Sequence, residues 1–149
     1  MLGSSYDTQN CSVARALEVV GERWSLLVLR DAIRGTRRFE DFLSGLGIAR
    51  NVLTARLNRF CEQGVLKRVQ YQDRPPRHEY HVTQKGIDLR PVLIGLMEWG
   101  DRYSPSPNGP PTILTHADCG HDLHPVLTCG HCGETVDNAA VGIRPGPGA

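Results

Sequence analysis

The sequence predicts a mainly α-helical fold with one small β-hairpin, followed by a short extension rich in cysteine and histidine. Three observations carry that expectation. Apolar residues recur at helical spacing through most of residues 11–103. One β-prone stretch, residues 65–83, is split by adjacent prolines. After a proline-rich segment, residues 116–134 gather three of the five cysteines and four of the six histidines. A chain of 149 residues, 40% of them hydrophobic, suits one domain with an appendage.

The elements follow in order. "CSVARALEVVGERW" opens a helix in which Ala14, Leu17 and Val20 share a face and Gly21 interrupts. "WSLLVLRDAIRG" is apolar on most sides, which predicts a central helix that Gly35 can end. "TRRFEDFLSGLG" predicts a shorter helix with Phe39, Phe42 and Leu43 inward. Thr36 is its candidate N-cap, although Phe39 stands where a capping box needs an acid. "IARNVLTARLNRFCEQG" predicts a fourth helix. Leu53, Leu57 and Phe60 form its buried stripe, and Arg50, Asn51, Thr54 and Asn58 lie on the opposite face. "VLKRVQYQ" and "HEYHVT" predict two strands around the tip "DRPPR", whose prolines cannot continue a ladder. Thr83 can cap a last helix, "QKGIDLRPVLIGLMEWGDRY", which Pro91 should kink or restart. "SPSPNGPP" (104–111) predicts a linker or stiff strap, and no internal repeat is visible. The expected organisation is therefore an arm (1–10), a helical domain (11–103), the linker (104–111) and the Cys/His-rich extension (112–149).

The net charge of +1 conceals an asymmetry: residues 1–104 hold 16 Lys/Arg against 12 Asp/Glu, and residues 105–149 hold one Arg against four acids. Between Arg34 and Arg77 ten basic residues face four acidic ones, which suits a local polyanion-binding face or an ordinary solvated surface. Apolar runs such as "LLVL" are too short to span a bilayer, and "MLGSSYDTQN" has no secretory pattern. A soluble, cytoplasmic protein without a membrane partner is expected. In that compartment clustered cysteines favour metal or redox chemistry over a disulfide framework.

Three helices, a helix with a polar face, a hairpin and a long helix form the order of a winged helix-turn-helix. The major groove, about 12 Å wide, admits one α-helix. A preceding helix braces it on the backbone, and the hairpin tip lies beside it. "CSVARALEVVGERWSLLVLRDAIRGTRRFEDF", "LTARLNRFCEQGVLKR", "PPRHEYHVTQKG" and "LIGLMEWG" closely resemble the HxlR-type winged-helix transcription regulators over residues 11–103. The resemblance includes Cys11, Gly21 with Trp24, Arg38 with Phe39, Pro75–Arg77, and Thr83 with Gly86. It implies a homodimer paired through the first and last helices, bound to an inverted repeat in double-stranded DNA, repressing or activating nearby genes. Many relatives end near Tyr103, so it says less about the extension.

On that fold, Arg50, Asn51 and Thr54 open the recognition helix. Arg can bind guanine and Asn adenine in bidentate fashion. Asn58 shares their face. Arg56 and Arg59 suit phosphates or local ion pairs. Arg74, Arg77 and His78 surround the wing tip and suit phosphate contact. Arg37 and Arg38 lie where a bracing helix meets the backbone, though Arg38 could instead hold a structural carboxylate. Trp24 and Trp99 suit core or dimer interface, and Cys61 a buried packing thiol.

Cys11 begins a helix, where open N–H groups can lower a thiol pKa. The resemblance implies sensing of an electrophile or oxidant at this place, against the alternative of a quiet helix-start thiol. In the extension, His116-Ala-Asp-Cys119-Gly and Cys129-Gly-His-Cys132-Gly are two short knuckles. Paired knuckles suggest a zinc-ribbon-like extension holding one structural zinc per chain through His116, Cys119, Cys129 and Cys132. His121, His124 and His131 are spare ligands, and a metal-free hairpin or a Cys129–Cys132 disulfide is the alternative. Function then divides into a DNA-binding regulator, possible redox control through Cys11 included, or a metal-responsive repressor controlled by the Cys/His cluster. An enzyme is not expected, since no open metal position with a marked general base is present; Glu134 is only the nearest acid.

Overall fold

A computed structural model describes residues 5, 6 and 8–149 of the chain. Its elements are α1 (Ser12–Val20), α2 (Ser25–Ile33), α3 (Phe39–Leu46), α4 (Arg50–Glu62), β1 (Leu66–Asp73), β2 (Pro76–Val82), α5 (Gln84–Ile87) and α6 (Arg90–Tyr103), with one 3-10 turn at Asn138–Ala140. The chain divides into two compact units at Leu93/Ile94, within α6.

The first unit closes around α2, which touches α3, α4, α5 and β2. Val28 and Leu29 of α2, Phe42 of α3, Leu53 and Leu57 of α4, and Val65 are fully buried, with Ile48, Phe60, Leu66 and Tyr80 nearly so. The stripes expected for α2 and α4 therefore form one core. Between α3 and α4, Gly47 takes a left-handed conformation (φ 61°) and its N–H donates to the Leu43 carbonyl at 3.0 Å. Ile48 then drops into the core and α4 begins, completing the helix-turn-helix pair.

Thr36 does not cap α3; Arg38 occupies the N-cap in extended conformation. The reason is tertiary. Arg38 pairs with Glu79 of β2 as an isolated bridge, and the Tyr80 N–H donates to the Arg37 carbonyl at 2.8 Å. Residues 37–38 are thus held in extended conformation against β2, and the helix starts only at Phe39. Glu40 and Asp41 in its first turn complement the helix dipole.

The hairpin is antiparallel from Leu66↔Val82 to Asp73↔Pro76, with an irregularity between Gln70 and Gln72. The ladder runs further toward the tip than the prolines suggest. Pro76 occupies the first position of β2, which a residue without an N–H tolerates. At the base, the Thr83 hydroxyl donates to the Gly64 carbonyl at 2.6 Å, and its oxygen accepts from the Gly86 N–H at 3.3 Å. A Cβ on Gly86 would meet the Val65 carbonyl oxygen at 2.5 Å and Val82 Cγ2 at 2.7 Å. The end of α4, both strands and α5 therefore converge where only glycine fits. Pro91 restarts the chain as α6 rather than kinking a longer helix.

The second unit carries a backbone repeat that the sequence reading does not find. The His116 N–H donates to the His121 carbonyl (2.9 Å), the Gly120 N–H to that of His116 (2.7 Å) and the Leu123 N–H to that of Leu114 (2.7 Å). The same three bonds recur from Cys129 to Glu134 (2.9 Å), Gly133 to Cys129 (2.8 Å) and Val136 to Leu127 (2.7 Å). The bridges Thr115↔Asp122 and Thr128↔Thr135 keep the same offset. Gly120 and Gly133, at φ 72° and 76°, supply the left-handed residue of each turn. Among the described residues, no helix is long and apolar enough to cross a membrane.

Candidate nucleic-acid interface and thiol sites

α4 turns Leu53, Leu57 and Phe60 into the core and leaves Arg50, Asn51, Thr54 and Asn58 exposed. Arg50 is not idle. Its two Nη atoms donate to Glu40 Oε1 and Oε2 at 2.8 and 3.0 Å, and its guanidinium lies 5.1 Å from the Phe39 ring centroid. The hydrogen bond from Arg50 holds the Glu40 carboxyl below its usual range. Thr54 Oγ1 donates back to the Arg50 carbonyl at 2.9 Å, which leaves its oxygen facing solvent.

Between α3, α4 and the hairpin lies a groove of about 610 Å³, lined by Glu40, Arg50, Thr54, Tyr71, Arg77 and His78 among others. Arg74 and Arg77 at the hairpin tip and Arg37 before α3 are exposed. Their guanidinium groups have no hydrogen-bond or ion-pair partner among the described residues. His78 faces Arg68, with Nδ1 3.2 Å from the Arg68 Nη2.

The remaining arginines are placed differently. Arg38 Nε is 3.3 Å from Glu79 Oε1, and its guanidinium lies 4.9 Å from the Tyr71 ring centroid. Desolvation raises the Glu79 pKa, but Arg38 and then His81 outweigh it and hold the carboxyl below its usual range. Arg38 thus holds the structural carboxylate that was one of its two expected roles. Arg56 has only 19% of its side chain exposed, pairs with Glu22 at 3.0 Å, and buries Nε without a partner. It ties α4 to the turn before α2. Arg59 donates to the Glu18 carbonyl at 3.2 Å, tying the same helix to α1. Sequence reasoning missed Glu40 and Tyr71, because no spacing rule links either to the arginine it meets.

Cys11 is the N-cap of α1 and exposed. Its sulfur makes no capping hydrogen bond of ordinary geometry, yet the open N–H groups of Ala14 and Val13 face it and lower its pKa. Burial instead pushes the Cys61 thiol up. In the extension, His116 Nδ1 lies 3.3 Å from Cys119 Sγ, and its Nε2 is 3.7 Å from Asp118 Oδ2. His121 Nδ1 is taken by the Cys119 carbonyl at 2.9 Å. The Cys129 thiol is lowered by the N–H groups of Cys132 and His131, then by the Cys132 thiol. Among the described residues, no three His, Cys, Asp or Glu side chains stand together as a metal site.

An exposed polar helix, braced by a second helix and flanked by a basic hairpin, is the layout of a DNA-reading domain. Residues 19–108 match the HxlR-like helix-turn-helix family. The chain belongs to that family. An HTH-type transcriptional regulator from Mycobacterium tuberculosis is 50% identical over 137 residues, covering 92% of this chain and 87% of that one. The solved structure of PA1607, a candidate transcription factor, superposes with a TM-score of 0.81 at 33% identity, over 93% of this chain and 96% of that one. The redox regulator HypR in its oxidised form gives a TM-score of 0.57 at 31% identity, over 62% of this chain and 96% of that one. The HxlR-like chain is a transcription regulator with a winged helix-turn-helix of the DNA-binding type, and its named relatives are regulators rather than enzymes.

Proposed function

We propose that this HxlR-like regulator acts in the cytoplasm as a homodimer on an inverted-repeat operator, each protomer laying α4 in a major groove. One observation carries the reading: the polar face of α4 is exposed on a groove that Arg77 also lines, and the guanidinium groups of Arg37, Arg74 and Arg77 have no partner among the described residues. Asn51, Thr54 and Asn58 present base-reading groups, and Arg50 joins them on leaving Glu40. The arginines at the tip and before α3 meet phosphates on either side and set the register. Arg56 and Arg59 hold the helix in place rather than touch DNA.

Cys11 is the proposed point of control by an oxidant or electrophile. Its exposed sulfur at an open helix end supports this, as does the likeness to the redox regulator HypR. Fluorescence anisotropy against a fragment selected from the source genome tests the binding. Specific affinity should fall steeply with salt, Asn51→Ala should blunt sequence preference, and Arg77→Ala should weaken all sequences alike. Equal affinity for the selected fragment and random duplex at moderate salt would sink the proposal.

A further inference from the structure

The two turns of the second unit are copies of one hydrogen-bonded device, and each carries a pair of metal-binding side chains at its first and fourth positions: His116 with Cys119, and Cys129 with Cys132. The repeat makes the pairs equivalent, so His116 stands where the second turn has Cys129. We infer that His116, Cys119, Cys129 and Cys132 together bind one Zn²⁺ per chain in a closed structural site.

Three features favour a metal over a pair of plain hairpin corners. The 3.3 Å between His116 Nδ1 and Cys119 Sγ suits two corners of one tetrahedron, given Zn–N and Zn–S bonds of about 2.0–2.3 Å. The opposite ring nitrogen lies 3.7 Å from the Asp118 carboxylate, near enough for a small rotation to bring the outer hydrogen bond that orients a ligating imidazole. All three cysteines are free thiols, and no residue of the second unit is buried. Its exposed Ile113, Val126 and Leu127 leave little packing to order it. Three sulfurs and one imidazole form a soft, four-ligand set that selects zinc over magnesium or calcium and leaves no position for substrate.

The two pairs stand apart in this structure. Residues 124–126 join them, and no backbone hydrogen bond among the described residues ties that stretch to either turn. Closing the site therefore needs rotation within the connection, with both turns kept. His121 is excluded as a ligand through Nδ1, which the Cys119 carbonyl already takes.

Titration of reduced, metal-stripped full-length protein with Co²⁺ tests this. The expected result is saturation at one equivalent, with the intense visible bands of tetrahedral cobalt and a sulfur-to-cobalt charge-transfer band, both erased by Zn²⁺. Cys129→Ser and His116→Ala should each weaken binding about tenfold or more, and Asp118→Asn about tenfold. His116→Cys should keep the tetrahedral bands and strengthen the charge-transfer band, which distinguishes a lost ligand from a misfolded turn. Operator affinity should be unchanged in Cys129→Ser, since α4 and the hairpin lie in the first unit. An octahedral spectrum, or tetrahedral bands unaltered in both Cys129→Ser and His116→Ala, would overturn the site. Operator affinity that tracks metal content would replace the structural role with a sensing one.

Discussion

Arg50 is the base-reading candidate whose charge is already engaged. Its fork grips both oxygens of Glu40, so DNA must compete with an internal carboxylate for the same guanidinium. Glu40→Gln should therefore raise affinity for duplex DNA by about two- to fivefold, most of it at low salt, as anisotropy titrations would read. The carboxyl is held below its usual range. By sign, the stability that this pair adds is present above the ordinary glutamate pKa and is lost only as pH falls through the depressed value. The thiols give a second comparison at this scale. Cys11 is exposed with a lowered pKa, whereas Cys61 is half-buried with a raised one. Brief alkylation followed by mass spectrometry should label Cys11 first, and its rate should reach a plateau at a lower pH than that of Cys61. Slower labelling of Cys11 would remove it as the point of control. Position along a helix was legible in the sequence, which is why Cys11 and the polar face of α4 could be read from periodicity. The partners of Arg38, Arg50 and Arg56 were not, because each carboxylate comes from another element.

At the scale of elements, periodicity located α1 to α4, because each turns one face into the core, whereas the strands, in which only Leu66 and Tyr80 are buried, were legible from β-prone residues on either side of the proline tip. Its errors share a cause. Thr36 has cap chemistry, but residues 37–38 are claimed by β2, and backbone pairing across the sheet overrides a local side-chain bond. In the second unit the pairing of the two knuckles was legible from their ligand types and glycines, but the extent of the backbone repeat was hidden because most flanking side chains differ. The glycine of "TQKG" was visible as a motif, but its reason is spatial. Gly86→Ala should destabilise the protein by about 1–3 kcal/mol through overpacking against the Val65 carbonyl and Val82, measured as a lowered denaturant midpoint. Gly35→Ala makes a useful contrast. Nothing lies within 4 Å of its new Cβ, so its cost would come from the positive φ of 105° alone.

At the scale of the molecule, α6 presents Val92, Leu96, Trp99 and Tyr103 at helical spacing, and all four are 48–63% exposed. One apolar stripe on a long helix suits a second copy of the chain. Trp99→Glu should shift the protein to monomer in sedimentation velocity at micromolar concentration and weaken operator binding about tenfold or more, through loss of the second half-site. A wild-type protein that sediments as a monomer would contradict the pairing. The convergence at Gly86 bears on the operator itself. α4 ends and both strands are rooted close to the same crowded point, so α4, the helix proposed to read bases, and the basic tip are joined by a stiff corner rather than a loop. A chemical footprint should then show the protected major-groove bases and the protected phosphates beneath the tip at one fixed spacing. That spacing should hold on every natural target, however much the sequence of the half-sites drifts.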